Sequence, residues 1–256
     1  HGLAGRNINA FDLETLNPTA NDAVAAPIYM SFSNGRVRLP GVSGPNGLAT
    51  YNDIVKYEAL LPAAAGDSFE VFFDGSDVGL SGRAEQIDSL SVWLPGDFVP
   101  VAVGVPGDCT AGLLFITTAA NYRVPAADGT SLTGKGGDIL AFCATNLGPN
   151  TAGFWFRAFS ATAAGFHPLR TVRNLTVHDF AYDSNTGEWG LYISFSARTD
   201  FQMGAFSGYV NNVYLMDTTD LTPTLQVDLS TDYPTLNGTA DGLEIEPYLV
   251  ICSSDC

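Results

Sequence analysis

Charged residues, lysine in particular, and long apolar runs are scarce in this sequence. Only 15% of the 256 residues are charged, and the lysines are Lys56 and Lys135 alone. A net charge of −16 repels phosphate backbones, which argues against nucleic acid as a partner. No basic amphipathic stretch and no run of 18 apolar residues is present. The sequence therefore predicts neither membrane-surface binding nor a transmembrane helix.

Motifs that carry chemistry are missing as well. The sequence has no Gly-x-Ser-x-Gly, CxxC, HExxH, Walker or dinucleotide-binding pattern. We therefore expect a protein that is not an enzyme and needs no cofactor, with the metal sites considered below as the exceptions.

Internal repetition is the strongest feature that is present. A first strand-like segment occurs at 28–33, 114–119 and 191–196, and a second follows at 52–57, 137–142 and 211–216. A third lies at 69–74, 154–159 and 225–230, and a fourth at 88–92, 173–177 and 242–245. Between the first two copies every offset is 85 or 86 residues. Apolar residues alternate along many segments, and Gly- and Asn-rich turns separate them, as is typical of antiparallel β-structure.

The predicted fold is therefore all-β, with three successive four-stranded antiparallel units. We place these units at 27–105, 113–189 and 190–251 of a repeat-built domain spanning 27–256, with a cysteine-containing tail at 252–256. Propeller-like blades, a three-fold prism and a sandwich all accommodate such units. Residues 1–26 lie outside the repeats and are predicted to form an extended N-terminal arm.

Four cysteines, an even number without metal-like spacing, indicate disulfides and export. Cys252 and Cys256 can close a small ring, which leaves Cys109 to pair with Cys143, but spacing allows three connectivities. A chain that begins at His1 without methionine is expected to be a processed product located outside the cell or on its surface.

Carbohydrate enters the prediction in two ways. Asn174 and Asn237 begin Asn-x-Thr patterns and are candidate glycosylation sites. Trp93, Trp155 and Trp189 can form a sugar-binding platform, but each lies at a strand or strand edge, where core packing is the favoured interpretation.

The stretch "FDGSDVGL" at 73–80 permits a calcium loop or a structural turn. Asp74 and Asp77, together with Asp88, are the candidate calcium ligands. In the second copy, 159–166 reads "FSATAAGF", which keeps the glycine and loses both carboxylates. A structural turn is therefore the favoured interpretation.

Three segments resemble the tandem repeats of a family of exported bacterial proteins of unknown activity. They are "LGPNTAGFWF" (147–156), "FFDGSDVGL" (72–80) and "IDSLSV" (87–92), and the resemblance covers most of 27–180. In that family, segments of the type "FDGSDVGL" recur beside an "EDIDAL" strand. The resemblance implies export and a repeat fold, and it implies no catalytic residue.

An N-terminal histidine also permits a copper site. Copper-dependent polysaccharide monooxygenases bind copper through the amino group and ring of their first residue, His1 here, and a second histidine, for which His167 and His178 are candidates. His178 is expected at the surface of a strand and His167 in a turn, so processing at an arbitrary site is the favoured interpretation of His1.

These observations lead to a functional hypothesis and two alternatives. The first is a structural subunit that assembles with itself into an extracellular filament or surface layer through edge strands or the N-terminal arm. The second is a secreted module that binds carbohydrate or a cell surface. The third is a copper-dependent oxidase that uses His1.

Overall fold

A computed structural model describes thirteen stretches of the chain: residues 8–13, 27–33, 35–40, 42, 48–58, 68–95, 109–168, 175–181, 192–197, 201–203, 205–208, 212–217 and 223–228. Strands dominate these stretches, and the helical elements in them are two 3₁₀ turns, Gly75–Val78 and Arg83–Glu85. The prediction of an all-β fold is confirmed. In the described part of the chain, no helix has the length and apolarity needed to cross a membrane.

Three four-stranded antiparallel sheets contain most of the strands. The first has the order β1 (Ile8–Leu13), β2 (Ile28–Phe32), β5 (Ile54–Glu58), β6 (Ser68–Phe73). The second has the order β7 (Ile87–Trp93), β8 (Gly112–Thr118), β11 (Ile139–Asn146), β12 (Ala152–Phe159). The third has the order β14 (Leu175–Ala181), β15 (Tyr192–Ala197), β18 (Asn212–Asp217), β19 (Pro223–Asp228).

A small hairpin separates the second and third strands of each sheet. It consists of β3 (Val37–Arg38) and β4 (Leu48–Ala49), then β9 (Tyr122–Pro125) and β10 (Ser131–Gly134), then β16 (Phe201–Met203) and β17 (Phe206–Gly208). The last of these also pairs with β13 (Phe166–Pro168) through β16. The three sheets thus follow one order along the chain: two strands, a hairpin, two strands.

The predicted grouping of the strands differs from these sheets. Residues 8–13 belong to the predicted arm, yet they form β1 and pair with β2; the rest of 1–26 lies outside the described residues. Segments 88–92 and 173–177 were expected as the fourth strands of their units, but 88–92 lies in β7 and the described part of the other, 175–177, lies in β14, and these are the first strands of the following sheets; the segment 242–245 lies outside the described residues. For 88–92 the reason is that two 3₁₀ turns carry the chain away from β6 before β7 begins. Among the described strands no sheet closes and no propeller forms.

The second sheet is the middle layer of the molecule. Leu114 and Ile116 of β8 pack in an apolar cluster with residues of the first sheet. Their neighbours Leu113 and Phe115 pack in a cluster that reaches Tyr214 of the third sheet. Because both faces of β8 are covered, its sequence is apolar without interruption from Leu113 to Ile116 instead of alternating.

Bulges fall at matching places in the three sheets. The pairing of the first two strands shifts between Ile8 and Ala10, between Ile87 and Ser89, and between Val177 and Asp179. A second shift occurs in the pairing of the last two strands, after Ile54, Ile139 and Val213. These bulges fix which residues correspond between the sheets.

One disulfide joins Cys109, in the segment before β8, to Cys143 of β11. This pair belongs to one of the three connectivities that the spacing of the four cysteines left open. Cys252 and Cys256 lie outside the described residues.

Candidate functional site at the joint between the first two sheets

The turn after β6 is held together by its own side chains. Asp74 Oδ1 accepts hydrogen bonds from the backbone N–H of Ser76 at 3.0 Å and from its hydroxyl at 2.6 Å. The turn ends at Gly79, whose φ of 95° favours glycine. Leu80 then donates its N–H to Gly75 O at 2.8 Å, and its side chain is fully buried. The Asp74 carboxylate therefore acts as a cap within the turn.

The same turn is fastened to the second sheet at the β11–β12 connection. Asp77 Oδ2 accepts a hydrogen bond from Thr151 N at 3.0 Å. Thr151 Oγ1 in turn accepts one from Asp74 N at 2.8 Å. Gly148 donates its N–H to Phe72 O at 2.7 Å, at the end of β6. These bonds join residues more than 70 positions apart and fix the first sheet against the second.

Trp155 fills the centre of this joint. It is fully buried, and its indole Nε1 donates to Val78 O at 2.8 Å. Its ring packs edge-on against Phe73 and lies 4.7 Å from the Phe142 ring. The favoured interpretation of Trp155 as a core residue is confirmed, and its polar atom serves the turn.

Trp93 is half-buried at the end of β7. Its Nε1 donates to Ser91 Oγ at 3.1 Å, and its ring meets Phe115 edge-on. Trp189 lies outside the described residues. The two tryptophans of the described ranges are therefore engaged in packing.

A buried carboxylate, that of Asp53, holds the start of the 3₁₀ turn by a hydrogen bond. Asp53, at the start of β5, accepts hydrogen bonds from Thr50 N at 2.7 Å and from Gly75 N at 3.2 Å. Burial raises the pKa of Asp53 above its ordinary value, and the two N–H donors oppose this shift. The side chain serves as the anchor on which the 3₁₀ turn rests.

The second sheet repeats this anchor. Asp138 lies at the start of β11 and accepts hydrogen bonds from Lys135 N at 3.2 Å and from Ala161 N at 3.1 Å. Phe166 donates its N–H to Ala161 O at 2.9 Å, in the way that Leu80 does to Gly75 O. The turn after β12 thus keeps the backbone geometry of "FDGSDVGL" although it has neither of the two aspartates.

Asp138 also belongs to a polar cluster that sequence reasoning missed. The Tyr122 hydroxyl donates to Asp138 Oδ2 at 3.1 Å, and Arg157 Nε donates to the Tyr122 oxygen at 3.0 Å. Burial raises the pKa of Tyr122 to about 12. Arg157 also donates to Thr133 O, which fastens the β9–β10 hairpin to β12. The signal in the sequence was a single arginine within the apolar run "FWFRAF".

The candidate calcium ligands Asp74, Asp77 and Asp88 do not form a metal-binding group. Asp88 is the extra residue of the bulge in β7 and is buried, whereas the carboxylates of Asp74 and Asp77 are engaged as described. Within the described ranges, no three His, Cys, Asp or Glu side chains form a group that could hold a metal ion. His167 was expected in a turn, but it lies in β13, directly after that turn; His178 lies in β14, and His1 lies outside the described residues. The copper site stays a prediction.

The glycosylation candidates Asn174 and Asn237 also lie outside the described residues. Comparison of the chain with protein-family models, curated proteins and solved structures finds no match. The function therefore has to be inferred from the geometry of the chain itself.

Proposed function

We propose that this chain is an exported structural protein whose copies assemble into an extracellular filament or surface layer. In this proposal its three sheets are three copies of one ancestral repeat. The role of the "FDGSDVGL" turn is to join one repeat to the next. Its hydrogen bonds to Thr151 and Trp155, and the matching anchors Asp53 and Asp138, support this architectural role.

The observation that carries the proposal is a row of three sheets that, among the described strands, does not close. β7 packs against β1 on one side and against β14 on the other, so the first strands of the three sheets lie in a row. Asp12 Oδ2 of β1 accepts the Val92 N–H of β7 at 2.5 Å across this row. A row that does not close has two different ends, and contacts between unlike ends propagate into filaments.

Two further features support export and assembly. A disulfide between Cys109 and Cys143 fits an oxidising compartment, and the resemblance to exported repeat proteins points to the same location. The net charge of −16 keeps isolated copies apart at low ionic strength, and salt screens this repulsion.

Sedimentation velocity over a range of protein and salt concentrations tests the proposal. We expect large species that grow with protein concentration and form more readily as salt rises, and electron microscopy of the same samples should show filaments or sheets. A protein that sediments as a monomer under all these conditions would refute the proposal.

A further inference from the structure

Asp53 carries a carboxylate in the interior of the joint between the first two sheets. The residue is 5% exposed, and its two oxygens accept the N–H groups of Thr50 and Gly75. The 3₁₀ turn is seated tightly here, since a Cβ at Gly75 would clash with the Asn52 carbonyl. The carboxylate is therefore closed off from water by the turn that it anchors.

The charges around Asp53 do not compensate its own. In the described part of the chain, ion pairs are formed by Lys56 and by Arg157, and neither includes Asp53. Burial is the main cause that raises the pKa of Asp53, and the nearby Asp74 carboxylate raises it further, against the two N–H donors. The other titratable side chains on the neighbouring elements are Tyr51 before β5, Asp77 on the first 3₁₀ turn, Arg83 and Glu85 on the second, and Asp88 in β7. The cation among them, Arg83, is exposed.

The matching positions of the other two sheets hold a paired charge or no charge. Asp138 also accepts two backbone N–H bonds, but Arg157 Nε lies 3.5 Å from its Oδ2. In the third sheet this position holds Asn212, a neutral amide that is buried as well. Of the three residues, Asp53 is thus the one whose ionised form has no cation beside it.

The turn that covers Asp53 also fastens the first sheet to the second. Asp77 Oδ2 accepts the Thr151 N–H, and Val78 O accepts Trp155 Nε1–H. Opening of this turn would expose the Asp53 carboxylate to water, which favours opening while that group is ionised. A protonated Asp53 gains far less from water, so protonation favours the closed turn.

We propose that Asp53 makes the turn at 75–80 a pH-sensitive contact between the first two sheets, which opens more readily while Asp53 is ionised and is held closed by protonation. A carboxyl group whose pKa is raised in the folded state binds its proton more tightly there than in the unfolded chain. The free energy of unfolding therefore rises as pH falls through the folded pKa, and this gain is complete below the ordinary Asp value of 3.8. The contact goes beyond the proposed function and exists whether or not copies assemble.

Thermal unfolding of the wild type and of Asp53→Asn from about pH 7.5 to about pH 4.5, with a chelator present, tests this contact. Asparagine does not titrate, and Asn212 shows that an amide is accepted at this position. Its single accepting oxygen costs the same at every pH, so the readout is how the difference in Tm changes with pH. We expect the wild type to gain about 2 °C or more over the variant as pH falls. A difference that stays constant would overturn the proposal.

Asp138→Asn is the matched control for a charge that has a cation beside it. This variant removes the partner of Arg157 and the acceptor of the Tyr122 hydroxyl. At about pH 7.5 it should therefore lower the Tm more than Asp53→Asn does. Equal losses would mean that the charge of Asp53 is compensated as well as that of Asp138, which contradicts the proposal.

Hydrogen exchange of the wild type decides the matter if the asparagine variant folds poorly. The Gly75 and Leu80 amides bond to Asp53 Oδ1 and Gly75 O, and the matching amides of Ala161 and Phe166 bond to Asp138 Oδ1 and Ala161 O. After correction for intrinsic exchange, we expect the first pair to gain about threefold or more protection over the second pair between about pH 7.5 and about pH 4.5. An equal change in both pairs, or a relative loss for the first, would overturn the proposal.

Discussion

Replacing the two aspartates of the "FDGSDVGL" turn separates a structural joint from a calcium site. Asp74 uses only Oδ1 in its bonds to Ser76, and Asp77 uses only Oδ2 in its bond to Thr151. An asparagine side chain also has one accepting oxygen. We therefore expect the double variant Asp74→Asn/Asp77→Asn to unfold within about 0.5 kcal/mol of the wild type.

The double variant Asp74→Ala/Asp77→Ala has a different expected outcome. Loss of the Asp74 cap costs about 1 kcal/mol. Loss of Asp77 leaves the N–H of buried Thr151 without this acceptor, which costs about 1 kcal/mol more. A total near 2 kcal/mol corresponds to a fall in Tm of roughly 4–8 °C for a chain of this size.

Thermal unfolding followed by circular dichroism, with excess calcium and with a chelator, measures both variants. The structural role predicts that the alanine variant alone loses stability and that calcium changes no Tm. If the asparagine variant fell as far as the alanine variant, and only when calcium was present, the turn would be a metal site and our reasoning would be wrong.

Three further predictions concern the joint and the second sheet. Gly79→Ala should lower the free energy of unfolding in urea more than Gly165→Ala does. Both glycines have positive φ, but only a Cβ at Gly79 would lie within 3 Å of the β9–β10 hairpin. Equal losses in the two variants would contradict this. Replacing both Cys109 and Cys143 by alanine should lower the free energy of unfolding by about 4 kcal/mol, since the disulfide closes a loop of 34 residues, and a change near zero would refute this. The folded Tyr122 phenol stays protonated to about pH 12 whereas the unfolded one ionises near pH 10, so this contribution to stability is complete below pH 10 and is lost as pH rises to 12. Replacing Tyr122 by phenylalanine should remove this fall in the free energy of unfolding between pH 10 and pH 12, as measured by urea unfolding at each pH. An unchanged dependence on pH would contradict the assignment to Tyr122.

Local patterns in the sequence were sufficient to predict strands and turns. Alternation in "FEVFFD" and the apolar run in "GDILAF" correspond to β6 and β11, and the matching segment at 159–166 favoured a structural role for the turn at 73–80. These features depend on residues that are close together in the chain, so their signals are local.

The grouping of strands into sheets could not be predicted in the same way. Whether 88–92 pairs with the preceding or the following strand depends on the path of the turn before it, and period-two alternation is the same in both arrangements. The segment 8–13 was missed because its alternation is interrupted by the bulge between Ile8 and Ala10.

The buried anchors had a signal that was visible but was not interpreted. In the segments 52–57, 137–142 and 211–216, which match each other in the sequence, the second position is always polar. The residues there are Asp53, Asp138 and Asn212, and all three are buried. A polar residue that directly precedes the apolar residues of a strand predicts a buried hydrogen-bond acceptor. What the sequence alone did not provide was the partner, because Gly75 N and Ala161 N lie more than 20 residues away.

Hydrogen exchange of the assembled and unassembled protein tests most directly whether copies join through the ends of the row of sheets. We predict that backbone amides of the first or the third sheet gain protection on assembly, while those of β7, already packed between β1 and β14, change little. Assembly that leaves the exchange of both outer sheets unchanged would contradict this account.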